Sequence, residues 1–150
     1  MAKLIQLEGG VFVAPQIVES DFAEIAAKGF KTVVNNRPDG EAADQMPDEV
    51  AKAAAESLGL TYLYQPVANL RITDDDVVAA FAGALETLPR PVLFYCRSGT
   101  RCTLLWAQAS AARIGAAEAI AVAGKAGYDL TSIADILEER ETPVAPLPKP

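Results

Sequence analysis

Short runs of β-branched and other apolar residues alternate along the chain with alanine-rich stretches that carry apolar residues at helical spacing. This alternation is typical of an α/β domain with a largely parallel sheet, in which helices join successive strands. Strands are predicted at residues 11–14, 31–35, 60–64 and 92–95. Helices are predicted in the intervals between these strands, after residue 101, and around 116–123 and 132–139.

Cap and turn signals set the expected ends of the helices. Ser20 is the predicted N-cap of the first helix, and Gly29 is the residue that ends it. Gly59 likewise ends the second helix. Thr73, with Asp76 three residues later, is a predicted capping box for the third helix. The inward stripe of that third helix is predicted to consist of Val77, Ala80, Phe81 and Leu85.

The pattern predicts a single domain over residues 1–142, followed by a tail. In residues 143–150 proline alternates with other residues, which predicts an extended and mobile segment. The N-terminal residues lack the apolar core of a signal peptide, and no apolar run reaches the roughly 18 residues that a membrane span needs. We therefore expect a cytoplasmic domain that does not bind a membrane.

Composition and charge narrow the chemistry. The chain has no histidine, which excludes a Ser-His-Asp triad, a Cys-His pair and a histidine-ligated zinc. Its net charge of −7 argues against nucleic acid or an anionic membrane as the main partner. Its two cysteines cannot form a disulfide framework. We expect neither a metal nor an organic cofactor, so the chemistry must come from cysteine, carboxylates, arginine or backbone amides.

The segment Cys96–Arg101 directly follows the last apolar strand and precedes a helix. The amides of such a loop and the N-terminus of the next helix form a cradle for an anion and lower the pKa of a thiol. Cys96 is therefore the predicted nucleophile, and Arg101 is predicted to orient an anionic group on the substrate. Arg97 and Arg101 are expected to help hold Cys96 as a thiolate. The hydroxyls of Ser98 and Thr100 can donate to the thiolate or the anion. The remaining members of the predicted anion-binding loop are Arg97, Ser98, Gly99 and Thr100.

Further candidates lie where other strands end. The carboxyl ends of parallel strands meet at one edge of a sheet, so 35–37 and 66–69 should share a rim with Cys96. Cys102 has two interpretations, a resolving thiol for Cys96 or a small residue packed in the first helical turn. Arg37 could add positive charge to the pocket, and Asp39 and Glu41 are alternative acids on the loop after the 31–35 strand. The additional candidate site residues are Arg37, Asp39, Asn69 and Cys102.

The two motifs Val33–Glu41 and Tyr95–Arg101 resemble the phosphatase-like domain of the beta-lactamase-hydrolase-like proteins, over roughly residues 1–140. The resemblance implies a three-layer α/β/α fold like that of the tyrosine and dual-specificity phosphatases. It also implies a cysteine-dependent enzyme, and some members of the family are described as sulfur transferases. In longer chains such a domain is sometimes joined to a metallo-hydrolase domain, which makes a metallo-hydrolase a candidate partner.

The chain departs from the phosphatase pattern at three points. Tyr95 precedes the nucleophile where cysteine phosphatases usually carry histidine, and only four residues separate Cys96 from Arg101 where they usually have five. A loop of this length is similar to that of rhodanese-type sulfurtransferases. The 66–71 loop lacks a carboxylate that could act as general acid.

These departures favour sulfur transfer through a Cys96 persulfide, from an anionic or persulfide donor to a small thiol. Phosphoester hydrolysis through a Cys96 phosphocysteine is the alternative. A domain that binds anions without turnover is a third hypothesis.

Overall fold

A computed structural model describes residues 2–142, so the predicted tail at 143–150 lies outside the described residues. The strands are β1 (Ile5–Glu8), β2 (Val11–Ala14), β3 (Thr32–Asn35), β4 (Thr61–Tyr64) and β5 (Val92–Tyr95). The helices are α1 (Asp21–Ala27), α2 (Asp48–Ser57), α3 (Asp75–Thr87), α4 (Thr100–Ile114), α5 (Ala116–Lys125) and α6 (Ala134–Glu141). Short 3₁₀ turns occupy Asn69–Arg71 and Thr131–Ile133. Within residues 2–142, no helix is long and apolar enough to cross a membrane.

The strands form one sheet in the order β1-β2-β5-β3-β4. β2, β5, β3 and β4 are parallel, and β1 pairs antiparallel with β2 at the edge. The predicted α/β class is confirmed, and each predicted strand is present within one residue of its expected bounds. β1 was not predicted. Only Leu7 of its four residues is buried, so its sequence lacks the apolar run that marks the central strands.

Helices cover both faces of the sheet, which gives three layers. Residues of α1 and α2 share one core cluster with Leu93 and Tyr95. Residues of α3 to α6 share the other cluster with Phe94 and Cys96. Side chains alternate between the two faces along a strand, so β5 sends Tyr95 away from the face where Cys96 lies.

Two predicted helix caps are wrong in their side-chain detail. Ser20 makes no capping hydrogen bond, and the Asp21 carboxylate instead accepts the backbone N–H three residues earlier at 2.8 Å. α3 begins after Thr73 without a capping box, because Asp76 pairs with the Arg71 guanidinium at 2.9 Å. Neither helix therefore begins with the hydroxyl capping hydrogen bond that the sequence predicts.

The buried stripe of α3 is also shifted from the predicted one. Val77 is only partly buried and Ala80 is exposed. The helix is rotated slightly from the predicted orientation, which still keeps Phe81 and Leu85 inside. The residues of α3 that the core buries are Val78, Phe81, Ala84 and Leu85.

Candidate active site

Cys96 lies at the carboxyl end of β5, and a tight loop leads from it to α4. Gly99 permits this turn because its φ of +88° lies in the left-handed region, where a side chain is strained. The N–H of Gly99 donates to Cys96 Sγ at 3.1 Å. The loop therefore turns a backbone amide toward the sulfur.

The Cys96 thiol is acidified by its neighbours. Hydrogen bonding from Cys102 contributes most, burial opposes it, and the amides of Cys102 and Gly99 and the charge of Arg101 add to it. Together they lower the pKa of Cys96 to about 6. About nine-tenths of the sulfur is then thiolate at pH 7, as a nucleophile requires. Arg97, which was expected to help, is not among the groups that lower this pKa.

Cys102 lies in the first turn of α4 and is fully buried. Its single thiol proton has two acceptors, the carboxamide oxygen of Asn36 at 3.3 Å and the sulfur of Cys96, and can serve one at a time. Burial and the neighbouring Cys96 raise the pKa of Cys102 well above its ordinary value. The pair therefore consists of one thiolate and one neutral thiol.

Arg101 is buried in the first turn of α4 and tied to the loop after β3. Its Nη1 and Nη2 donate to the Glu41 carboxylate at 3.1 and 3.2 Å. Nη1 also donates to the carbonyl of Val67 at 2.9 Å. The buried Nε has no hydrogen-bond partner within residues 2–142. These contacts fix the guanidinium beside the thiolate.

Glu41 joins two buried arginines rather than supplying a proton. Besides Arg101, it accepts from Nε of Arg37 at 3.0 Å, and Arg37 donates to Gln16 Oε1 at 3.0 Å. Burial opposes ionisation of Glu41, but the hydrogen bonds from Arg101 and Arg37 outweigh it and lower the pKa of the carboxyl. Glu41 is therefore an ionised carboxylate that holds both guanidinium groups in place.

A cavity of about 210 Å³ opens in front of the cysteine loop. None of the residues that line it within the described chain carries a carboxylate. The lining residues are Asn69, Ile72, Cys96, Arg97, Ser98, Thr100, Arg101 and Leu104. A larger cavity of about 590 Å³, between α3, α4 and α6, contains neither cysteine and lies away from this chemistry.

The structure brings Asn69 to the cavity but leaves two upstream candidates outside its lining. Arg37 is 3% exposed and engaged with Glu41 and Gln16. Asp39 accepts the backbone N–H of Asp48 at 2.8 Å and so caps α2. The expectations that Arg37 charges the pocket and that Asp39 serves it as an acid are therefore not met by the geometry.

The two hydroxyls of the loop also differ from expectation. Ser98 Oγ donates to Thr100 Oγ1 at 3.0 Å, and the Thr100 amide donates back to Ser98 Oγ at 3.3 Å. Both side chains line the cavity; the Ser98 proton is engaged by Thr100, whereas the Thr100 hydroxyl accepts that bond and keeps its own proton for a ligand. Within residues 2–142 no group of three or more cysteine or carboxylate side chains is placed to hold a metal ion.

Two residues that contact the cysteine loop or Cys102 are not among the candidate site residues of the sequence. The Tyr128 hydroxyl donates to the Ser98 carbonyl at 3.2 Å, and the end of its side chain occupies the space that a Cβ of residue 99 would need. Asn36 is buried and accepts from Cys102. Tyr128 is a single aromatic residue some thirty positions away from the loop. Asn36 does sit at a strand end, where the rim rule places ligand-binding positions.

A cysteine thiolate at the end of a central parallel strand, an amide-bearing loop and a buried arginine opening the next helix define the class: a cysteine-phosphatase-like α/β domain. Solved structures share this fold. A kinase-associated phosphatase, crystallised with its catalytic-site cysteine replaced by serine, superposes with a TM-score of 0.75 at 16% identity, over 93% of this chain and 92% of its own.

The chain belongs to the family described as "Beta-lactamase hydrolase-like protein, phosphatase-like domain", whose model matches residues 4–113. A candidate phosphatase from Neisseria meningitidis z2491 is 34% identical, with a TM-score of 0.81 over 91% of this chain and 96% of its own. The family resemblance stated from the two motifs is thereby confirmed.

Curated relatives named beta-lactamase hydrolase-like protein are longer. The one from Xylella fastidiosa (strain 9a5c) is 31% identical over 140 residues, which is 92% of this chain and 32% of the relative. The one from Agrobacterium fabrum (strain C58) is 31% identical over 144 residues, 95% of this chain and 33% of the relative. This chain thus spans about a third of these relatives.

Proposed function

We propose that this domain is a cysteine-dependent sulfurtransferase that carries sulfane sulfur as a Cys96 persulfide. The observation that carries the proposal is a Cys96 thiolate, with a pKa of about 6, in a cavity whose described lining contains no carboxylic acid. Sulfur transfer needs a good thiolate and an anion pocket, whereas its leaving groups need no proton donor.

Both half-reactions are displacements at sulfur. The Cys96 thiolate attacks the outer sulfur of thiosulfate, the S–S bond of the donor breaks, and sulfite leaves with the electron pair. A small thiolate then attacks the outer sulfur of the Cys96 persulfide, and Cys96 leaves as the thiolate. A lowered pKa makes Cys96 the better leaving group in this second step. The loop amides and Arg97 face the anionic donor in the first step.

Phosphoester hydrolysis requires a proton donor in addition to the thiolate and the anion pocket. An alkoxide leaving group must be protonated, and a positioned carboxylic acid normally does this. Glu41 is held ionised by two guanidinium groups, and the Asp39 carboxylate is used as a helix cap. Neither lines the cavity. Among residues 2–142, no carboxylic acid therefore lines the cavity to protonate an alkoxide, which favours sulfur transfer over hydrolysis of alkyl phosphates.

A phosphatase is the second candidate function, because the solved relative at 34% identity is described as a candidate phosphatase and because the same cradle accepts phosphate. It predicts hydrolysis of aryl phosphates, whose phenolate leaving groups depend least on an acid. Such turnover must vanish in Cys96→Ser. Turnover that survives this substitution removes the phosphatase candidate.

Intact-mass spectrometry tests the leading proposal. Reduced protein is incubated with thiosulfate, desalted and weighed. A species heavier by about 32 Da should form on the wild type and be absent from Cys96→Ser. Its absence from the wild type, or its presence on Cys96→Ser, refutes sulfur transfer through Cys96.

If neither sulfur loading nor aryl phosphate turnover occurs and sulfate raises the melting temperature, the domain is an anion-binding module. A metallo-hydrolase partner stays a prediction.

A further inference from the structure

The proposed function uses one of the two cysteines and leaves the other unexplained. Cys102 is fully buried and absent from the cavity lining, while Cys96 lines the cavity. Both cysteines belong to the same core cluster, and each shifts the pKa of the other's thiol. Because Cys102 has no exposed surface and does not line the cavity, an external thiol cannot reach it.

We propose that Cys102 is a resolving thiol that discharges the Cys96 persulfide inside the protein and releases hydrogen sulfide. This inference rests on the proposed sulfurtransferase function, because it acts on the persulfide which that function forms. It adds a second outcome for the bound sulfur, besides transfer to an external thiol acceptor.

The step is a thiol–disulfide exchange. Cys102 Sγ attacks Cys96 Sγ, and a Cys96–Cys102 disulfide bond forms. The bond between Cys96 Sγ and the outer sulfur breaks, and its electron pair leaves with the outer sulfur. That sulfur also receives the Cys102 proton and departs as hydrosulfide (HS⁻), which takes a second proton from solvent to give hydrogen sulfide. The outer sulfur is reduced and the two cysteines are oxidised. A low-molecular-weight dithiol that enters the cavity and attacks at Cys96 restores both thiols.

The order of events follows from the charges at the pair. While Cys96 is a thiolate, its charge and its hydrogen bond both help to keep Cys102 protonated. When Cys96 Sγ is bonded to a second sulfur, that charge moves outward to the terminal sulfur, and only burial still opposes ionisation of Cys102. Asn36, whose carboxamide oxygen lies 3.3 Å from Cys102 Sγ, is placed to receive the thiol hydrogen bond in that state. Formation of the Cys96 persulfide thus removes the charge that helps to keep Cys102 protonated, and Cys102 becomes a better nucleophile.

Cys102→Ser is the matched variant, since serine keeps a hydrogen-bond donor at this buried position but cannot form a disulfide. Wild type, Cys102→Ser and Cys96→Ser are loaded with thiosulfate without oxygen. Intact mass and released sulfide are followed together. We expect the wild type to pass through the species heavier by about 32 Da and to end about 2 Da lighter than the reduced protein, with one equivalent of sulfide. Cys102→Ser should stay loaded and release none.

A wild type that keeps the added sulfur as stably as Cys102→Ser, with no lighter species, overturns the resolving role while the proposed function stands. A failure of both proteins to load refutes the proposed function itself and the resolving role with it. Donor-free wild type must keep its reduced mass throughout. If Cys102→Ser does not fold, Cys102→Ala replaces it: a loaded Cys102→Ala protein that releases no sulfide supports the resolving role, and one that loses its sulfur as fast as the wild type overturns it.

Discussion

Replacing Gly99 with alanine tests the loop geometry that the site depends on. Gly99 has a φ of +88°, and a Cβ built there overlaps the Tyr128 hydroxyl and comes to 3.0 Å from Tyr128 Cζ. On another side, the backbone carbon of Ala14 is 3.5 Å away, at ordinary contact distance. An alanine at this position must therefore displace the Tyr128 ring or deform the loop.

Two costs add in this variant. A left-handed alanine costs about 1–2 kcal/mol of unfolding free energy relative to glycine. Displacing Tyr128 gives up its 3.2 Å hydrogen bond to the Ser98 carbonyl, which contributes about 0.5–1.5 kcal/mol. We expect Gly99→Ala to lower the free energy of unfolding by about 1.5–3.5 kcal/mol. The Gly99 amide should also move off Cys96, and the pKa of Cys96 should rise.

Urea unfolding under reducing conditions measures the first effect, and the pH profile of alkylation measures the second. Tyr128→Phe is the control, because it removes the clashing oxygen. Alone it should cost about 1 kcal/mol of unfolding free energy. Combined with Gly99→Ala, it should cost about 1 kcal/mol less than the sum of the two single changes, because the same contact is lost in both.

Two results would refute this reasoning. One is a Gly99→Ala protein within about 0.5 kcal/mol of wild type, since surface substitutions without a named cause fall in that range. The other is strict additivity of Gly99→Ala with Tyr128→Phe, which would mean that the ring and the new methyl group do not meet. An unchanged alkylation midpoint would separately remove the Gly99 amide from the forces that hold the thiolate.

Three further predictions concern charge. The alkylation rate of Cys96 should follow its ionisation with a midpoint near pH 6, rising above that pH; a midpoint near ~8.5 contradicts the cradle. Glu41→Gln should cost about 2 kcal/mol of unfolding free energy, measured in urea, because two buried guanidinium groups lose a charged acceptor. The lowered pKa of Glu41 means that this difference should be full above pH 4.5 and shrink as the pH falls through the folded value, and a constant difference contradicts the pairing. Arg97→Gln should raise the KM for thiosulfate and leave the Cys96 midpoint unchanged; an unchanged KM contradicts a role for Arg97 in donor binding.

The central strands and the position of Cys96 could be predicted because they follow from short-range patterns. An apolar run such as 92–95 must be buried, and in a parallel sheet its end must meet the ends of its neighbours. The contacts of Asn36 and Val67 with the loop follow from the same rule. β1 escaped prediction because an edge strand that buries one side chain leaves little hydrophobic signal.

The electrostatic roles could not be predicted, because each is decided by which partner a side chain reaches. From the sequence Glu41 was a candidate acid, and the structure makes it the shared acceptor of two arginines. Arg97 was expected to acidify the nucleophile, yet Cys102 does so by contact. Cys102 follows Cys96 by six residues, and the left-handed turn at Gly99 folds the chain back so that both cysteines lie in the same core cluster.

The charges of the site balance before any ligand binds. Arg37 and Arg101 carry two positive charges, and ionised Glu41 and the Cys96 thiolate carry two negative ones. An incoming anion therefore finds no surplus charge on the buried arginines. Arg97 is exposed, lines the cavity and belongs to none of the ion pairs among residues 2–142. In a protein of net charge −7, this side chain and the loop amides must supply the attraction. Thiosulfate binding should accordingly weaken with ionic strength in the wild type, and much less in Arg97→Gln.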